Sequence, residues 1–245
     1  MSDQRPRTAD PPPQPTRIVA FESATQPGSI ALLAGPQLVH SAPLDPRVKT
    51  TRQFTRALHD GLELLHWQPA DVGLLAVCRG PGSFTGLRIA ITLAKLWAYA
   101  HTTPVVALST LQLIAHQLPH DPTATHAAVC LDGQRQQWFA AVYEHTDDGW
   151  VEAEAPAVVG PQEWLNRLTK FPRCWLTGPG LDQQSTWVIP PSLQLAPSEC
   201  RAPQAPALGR LALEFLQRGA TDDPWGLVPV YLRPSAAEER RGVRL

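Results

Sequence analysis

Leu74-Leu75-Ala76-Val77-Cys78-Arg79-Gly80-Pro81-Gly82-Ser83-Phe84-Thr85-Gly86-Leu87-Arg88-Ile89-Ala90-Ile91-Thr92-Leu93-Ala94-Lys95-Leu96-Trp97-Ala98-Tyr99-Ala100 decides the fold, because it reads as a buried strand, a glycine turn and a long apolar helix. The run 74–78 is apolar without alternation, as expected of a strand covered on both faces in a parallel or mixed sheet. Gly80 and Gly82 open backbone angles closed to other residues and Pro81 fixes one dihedral between them. Ser83 or Thr85 is placed to cap the helix by accepting from an orphan amide.

The predicted helix carries one narrow polar stripe, Arg88, Thr92, Lys95 and Tyr99, at spacings of three and four. Leu87, Ala90, Ile91, Ala94 and Ala98 fill one flank; Ile89, Leu93, Leu96 and Trp97 fill the other. A sheet needs only one apolar flank, so the second calls for another helix, from this chain or from a partner.

A glycine turn before a helix can hold an anion on free amides and the positive helix end. The spacing here is wrong for the common versions. Only Ser83-Phe84-Thr85 separate Gly82 from Gly86, and Leu87-Arg88 follows where a Walker loop has Lys-Ser or Lys-Thr. Nor does the third glycine fall at the dinucleotide-fingerprint position. The preferred reading of Gly80, Pro81, Gly82, Ser83, Thr85 and Gly86 is therefore a structural turn. Ser83 as a hydrolytic nucleophile is disfavoured too, since Gly-x-Ser-x-Gly is absent around it.

The chain has 245 residues, of which 43% are hydrophobic, enough for one large domain or two lobes with real cores. A net charge of −1 gives no bulk attraction to nucleic acid or anionic membrane. The four cysteines, Cys78, Cys130, Cys174 and Cys200, form no C-x-x-C pair and three lie in or beside apolar runs, which predicts reduced thiols and no zinc site. His116 and His120 have ligand spacing, but Pro119 between them breaks the helix that would align them. The first sixteen residues are polar and proline-rich without the apolar core of a secretion signal, and no uncharged run is long enough for a membrane span. A disordered head and a cytoplasmic, non-membrane protein are expected.

Strands are predicted at 17–23, 29–34, 37–41 and 104–108, and helices at 51–67 and 110–118, besides the central unit. The order then repeats: strands at 127–132, 137–143 and 150–159, a helix at 161–168, a strand at 174–177 before a second Gly-Pro-Gly at 178–180, a strand at 193–196 and a helix at 207–218. This predicts an α/β protein of duplicated βββαβαβα topology. The expected divisions are a disordered head (1–16), an N-terminal lobe (17–119), a C-terminal lobe (120–228) and a tail (229–245).

The motif at 79–89 resembles the signature of the bacterial TsaB family, also called YeaZ. Further similarities run from Ala20-Phe21-Glu22-Ser23-Ala24-Thr25, through Ser109-Thr110-Leu111 and Leu131-Asp132, to Pro229-Val230-Tyr231-Leu232-Arg233. The resemblance implies a two-lobed fold of the actin, sugar-kinase and Hsp70 type. It also implies a non-catalytic subunit that supports the catalytic paralogue TsaD, with the ATPase TsaE, as TsaD transfers threonylcarbamoyl from the adenylate made by TsaC to the adenosine beside a tRNA anticodon. The expected partners are TsaD and TsaE, with tRNA met only through the complex and a homodimer when TsaD is absent. The expected interface residues are Phe54 and Leu58 on the first helix and Arg88, Ile89, Leu93, Leu96 and Trp97 on the second.

Three segments depart from the family's usual residues: Glu22-Ser23 replaces Asp-Thr, Asp132-Gly133-Gln134 replaces Asp-Ala-Arg, and Ala90 replaces glycine. The first two changes would disturb a nucleotide site more than a packing surface. The competing reading is an ATP-binding kinase or ATPase of the same fold, which needs magnesium-binding carboxylates and phosphate loops in both lobes. Glu22 and Asp132 are candidates for paired cleft acids, although a plain strand-end residue is the preferred reading of each, and the histidine pair with which TsaD-like proteins bind metal has no intact equivalent. No cofactor is expected, with ATP or ADP admitted only at an interface with TsaD.

Overall fold

A computed structural model describes residues 15–45, 47, 50–119, 121, 123–171, 173–182 and 187–233. His120, nearly all of the proline-rich head and the last twelve residues of the expected tail lie outside the described residues. The first lobe is built from β1 (Arg17–Glu22), β2 (Ser29–Ala34), β3 (Gln37–Pro43), α1 (Thr50–Leu64), β4 (Val72–Gly80), α2 (Phe84–His101) and β5 (Val105–Ser109), followed by α3 (Thr110–His116). The second comprises β6 (His126–Asp132), β7 (Trp138–Thr146), β8 (Gly149–Val159), α4 (Pro161–Arg167), β9 (Cys174–Thr177), β10 (Leu193–Leu195) and α5 (Ala205–Gln217).

The first sheet has the order β3-β2-β1-β4-β5 and the second the order β8-β7-β6-β9-β10, the same arrangement of elements. In each, the three opening strands are antiparallel and the later two add in parallel. This is the two-lobed α/β class of actin, sugar kinases and Hsp70. The duplication is incomplete in one place. After Gly178, where the first lobe has its long α2, the second has a short 3-10 turn at Pro179–Asp182.

Alternation along the strands divides the first lobe's core into two layers. Val19, Phe21, Leu75 and Val77 point to the face covered by Phe54, Leu58 and Leu62 of α1 and Ala90, Ile91 and Ala94 of α2. Ile18, Ala20, Leu74, Ala76 and Cys78 point to the opposite face, which is covered by Leu208, Leu211 and Ala212 of α5. Helix α1 contacts β2 and β3, while α2 lies over β4, so the two helices sit side by side on one face of the sheet.

The covering of that sheet by α5 corrects the expected lobe division, which placed this helix in the second lobe. Conversely, Leu111, Ile114 and Ala115 of α3, assigned by sequence to the first lobe, pack with Ala127, Val129 and Leu131 on the second sheet. Periodicity shows which helix face is apolar but not which sheet it covers. The exchange ties the lobes together, since each large side chain buried across it contributes about 1.5–3 kcal/mol.

Candidate protein interface on the first lobe

The glycine turn is closed by backbone from the end of β1. Ser83 N donates to Ala24 O at 2.7 Å and Ser23 Oγ donates to Gly86 O at 2.7 Å. A Cβ at Gly82 or at Gly86 would collide with the carbonyls of Ala24 and Ser23, so both glycines are demanded by close approach of two main chains. Of the two expected caps, Ser83 fills the role: its Oγ accepts from Gly86 N at 3.2 Å, and Leu87 N donates to Ser83 O. The cavity beside the turn measures about 70 Å³ and is lined by Ser23, Thr25, Gly28, Asp45, Gln53 and Ser83 among others. Pockets for small-molecule ligands run from about 300 Å³ upward.

The two candidate cleft acids stand in opposite environments. Glu22 is fully buried: its Oε1 accepts from Ala24 N at 2.7 Å, its Oε2 has no partner, and burial pushes its carboxyl up to about 8, against the weaker opposing pull of the Ala24 and Thr25 amides. Burial thus favours its protonated form. Cys78, on the neighbouring strand, has its thiol pushed well up by burial and by Glu22. Asp132 is exposed at the end of β6 and its Oδ1 accepts from Gln134 N at 2.7 Å, closing a local turn. Among the described residues, no group of three His, Cys, Asp or Glu is placed to hold a metal ion.

The residues expected at a partner surface separate into three groups. Phe54 is completely buried and packs edge-on against Phe21 with ring centroids 5.5 Å apart, and Leu58 is buried in the same layer. Both are core, which corrects their assignment to an interface. Ile89, Leu93 and Trp97 are half-buried against that core on the flank of α2 nearer α1, so the second apolar flank is covered in part by the chain itself. Leu96 is 60% exposed and Arg88 is exposed on the opposite flank.

That opposite flank is the polar stripe, and a segment from the C-terminal end of the chain lies along it. Asp222 N donates to Val105 O and Asp222 Oδ2 accepts from Ala107 N, covering the open edge of β5. Lys95 Nζ donates to Trp225 O at 3.3 Å, and the Tyr99 and Trp225 rings meet edge-on at 5.5 Å. Leu227 enters the core beside α2, and Val230 N donates to Arg79 O. Tyr231 stacks on Phe84 at 5.0 Å, and Arg88 lies 3.8 Å over the Phe84 ring while its Nε donates to Tyr231 Oη. Arg233 then reaches the second lobe, donating to Gly133 O at 2.7 Å and to Gln137 Oε1. The segment 222–233 is thus a strap from the edge of β5, along α2, to the β6–β7 turn.

The sequence singles out Arg88 and the 229–233 motif separately but gives no sign of Trp225 or of its contact with Tyr99. The available signal was the spacing of Arg88, Lys95 and Tyr99: a polar stripe on an otherwise apolar helix marks where something polar must lie. What the arrangement offers chemically is an apolar surface rimmed by cations. No helix among the described residues is long and apolar enough to cross a membrane.

Comparison with known proteins identifies the family. Residues 48–185 match the family described as TsaD, tRNA N6-adenosine threonylcarbamoyltransferase. The chain is 30% identical over 223 residues to the tRNA threonylcarbamoyladenosine biosynthesis protein TsaB of Escherichia coli (strain K12), an alignment covering 90% of this chain and 96% of that one. It is 27% identical to the TsaB of Haemophilus influenzae, over 88% of this chain and 93% of that one. Among solved structures, YeaZ from Pseudomonas aeruginosa superposes with a TM-score of 0.74 at 26% identity, covering 89% of this chain and all of that one. With the paired sheets, the crossed helices and the glycine turn locked against β1, these similarities show that the chain belongs to the TsaB (YeaZ) family of tRNA threonylcarbamoyladenosine biosynthesis proteins.

Proposed function

We propose that this chain is the non-catalytic scaffold subunit of a cytoplasmic tRNA threonylcarbamoyladenosine complex, binding TsaD through the outer face of α2 and supporting it together with TsaE. The observation that carries this reading is the glycine turn. A glycine turn that held a phosphate would present free amides to it; here the Ser83 amide goes to Ala24, the Gly86 amide to Ser83, and the Ser23 hydroxyl to Gly86. Glu22 is likewise fully buried with its Oε1 on the Ala24 amide, an arrangement that suits packing better than an open magnesium site. The exposed side of α2 supplies the surface such a subunit needs, and a second copy takes that face when TsaD is absent. tRNA and nucleotide are met in the complex, ATP or ADP at the TsaD interface.

The test is titration of the purified chain with its cognate TsaD, alongside an ATP hydrolysis assay of the chain alone. Saturable binding and hydrolysis no faster than a buffer control are expected. Magnesium-dependent turnover that disappears in both Glu22→Ala and Asp132→Ala would replace this reading with an enzymatic one.

A further inference from the structure

The last residues of the strap lie where a sheet of this order would take a ligand. In the first sheet the chain passes from β1 to β2 on one side and later adds β4 on the other, so the parallel strands β1 and β4 flank the point where the winding reverses. Ligands of open α/β sheets bind outside the carboxyl ends of the strands at such a point. Here those ends are Glu22 and Gly80, and the chain's own backbone meets both. The glycine turn rests on Ser23 and Ala24, while Val230 N donates to Arg79 O at 2.6 Å. A Cβ on Gly80 would stand 2.6 Å from Val230 O, so strap and strand touch main chain to main chain.

The same segment continues to the other lobe. Tyr231 is fixed by Phe84 and Arg88 at the start of α2, and two residues later Arg233 donates to Gly133 O and Gln137 Oε1. Those two acceptors flank a left-handed stretch in which Gln134, Arg135 and Gln136 have φ of 60°, 53° and 60°. Successive non-glycine residues in this region are costly and persist only where the surroundings hold them. Gly133 N donates to Gln137 O and Gln134 N to Asp132 Oδ1 within the turn; Arg233 adds a hold from the opposite lobe. Helices α3 and α5 also cross between the lobes, as the helices of a hinge would. Rotation of the lobes about that crossing would carry the β6–β7 turn away from Tyr231 and break the Arg233 contacts.

We propose that Val230, Tyr231 and Arg233 form a built-in clamp that bridges the crevice and holds the two lobes at one angle, the chain's own segment standing where a ligand would otherwise lie. The clamp belongs to the chain alone and stands whether or not the chain binds TsaD.

The experiment uses the full chain with Cys200→Ser, which leaves only the buried Cys78, Cys130 and Cys174. Spin labels at Arg52→Cys on α1 and Glu163→Cys on α4, both exposed positions, report the distance between the lobes by pulsed electron spin resonance. A single narrow distribution is expected, and magnesium ADP, the probe for a ligand in the crevice, should leave it unchanged. Arg233→Ala and Tyr231→Ala should each broaden it at least about twofold, as released lobes sample several angles. Arg233→Lys, which keeps the charge and one donor, should broaden it less. Circular dichroism checks that the variants fold, and Arg233→Lys carries the comparison if Arg233→Ala does not. Variants as narrow as the wild type would show that α3 and α5 set the angle without the clamp, and would overturn it. So would a broad distribution in the wild type, or one that magnesium ADP shifts.

Discussion

The main chain of Gly86 rests directly on the main chain of Ser23. A Cβ at position 86 would overlap the Ser23 carbonyl oxygen, and the Ser23 hydroxyl donates to the Gly86 carbonyl at 2.7 Å. The first turn of α2 is thus joined to the end of β1, and the colliding atom is backbone, which cannot swing aside as a side chain could. Gly86→Ala is therefore expected to cost at least about 2 kcal/mol, at the upper end of overpacking penalties. Urea denaturation monitored by tryptophan fluorescence measures it; a loss below about 0.5 kcal/mol would mean that the two segments separate easily.

Glu22 gives the stability a pH dependence whose sign follows from burial. Its carboxyl titrates near 4.5 when unfolded and near 8 when folded, so the native state holds the proton more tightly across that window. Its contribution is fully present below pH 4.5, declines as the pH rises towards 8 and is constant above it. Glu22→Gln, always neutral, should become more stable relative to the wild type between pH 5 and pH 8, by on the order of several kcal/mol. Unfolding free energies of both proteins at the two pH values decide the matter, and an equal difference at both would contradict the raised titration.

Arg233 carries the strap onto the second lobe, where it donates to Gly133 O and Gln137 Oε1 and lies 6.0 Å over the Phe139 ring. A charged donor shared between two acceptors contributes about 1.5–3 kcal/mol. Arg233→Ala should lower the unfolding free energy by about that amount. It should also speed hydrogen exchange at the Val230 amide, which donates to Arg79 O, more than at amides inside β1. Unchanged exchange at Val230 would show that the strap's other contacts hold it without Arg233.

Local pattern revealed the elements, and long-range contact determined the rest. The uninterrupted run 74–78 announced a strand covered on both faces, and β4 is buried on both, between α2 and α5. The small residues at 80–86 announced a tight turn, although nothing local showed that its partner would be the backbone of Ser23 and Ala24. The crossing of α3 and α5 was hidden because an apolar stripe fits either sheet. Arg88 and Tyr231 are 143 positions apart, and neither residue carries a local mark of the other. Phe54 and Leu58 were misplaced for a related reason: the apolar stripe of a helix shows that something covers it, but not whether that is the chain's own sheet or a partner.

That ambiguity supplies a decisive comparison between Phe54 and Leu96. Phe54 is entirely buried against Phe21, whereas Leu96 is 60% exposed on the outer face of α2. Phe54→Ala should cost about 3–5 kcal/mol of stability through the cavity it leaves, with any loss of TsaD binding tracking the unfolded fraction. Leu96→Asp removes little native packing and should leave the unfolding free energy within about 0.5 kcal/mol, while weakening TsaD binding by more than about 2 kcal/mol, because a carboxylate cannot be desolvated cheaply at an interface centre. Measuring stability and TsaD affinity on both variants separates the two roles. If Leu96→Asp binds TsaD as the wild type does, the outer face of α2 is not the contact surface and the partner must be sought elsewhere on the chain.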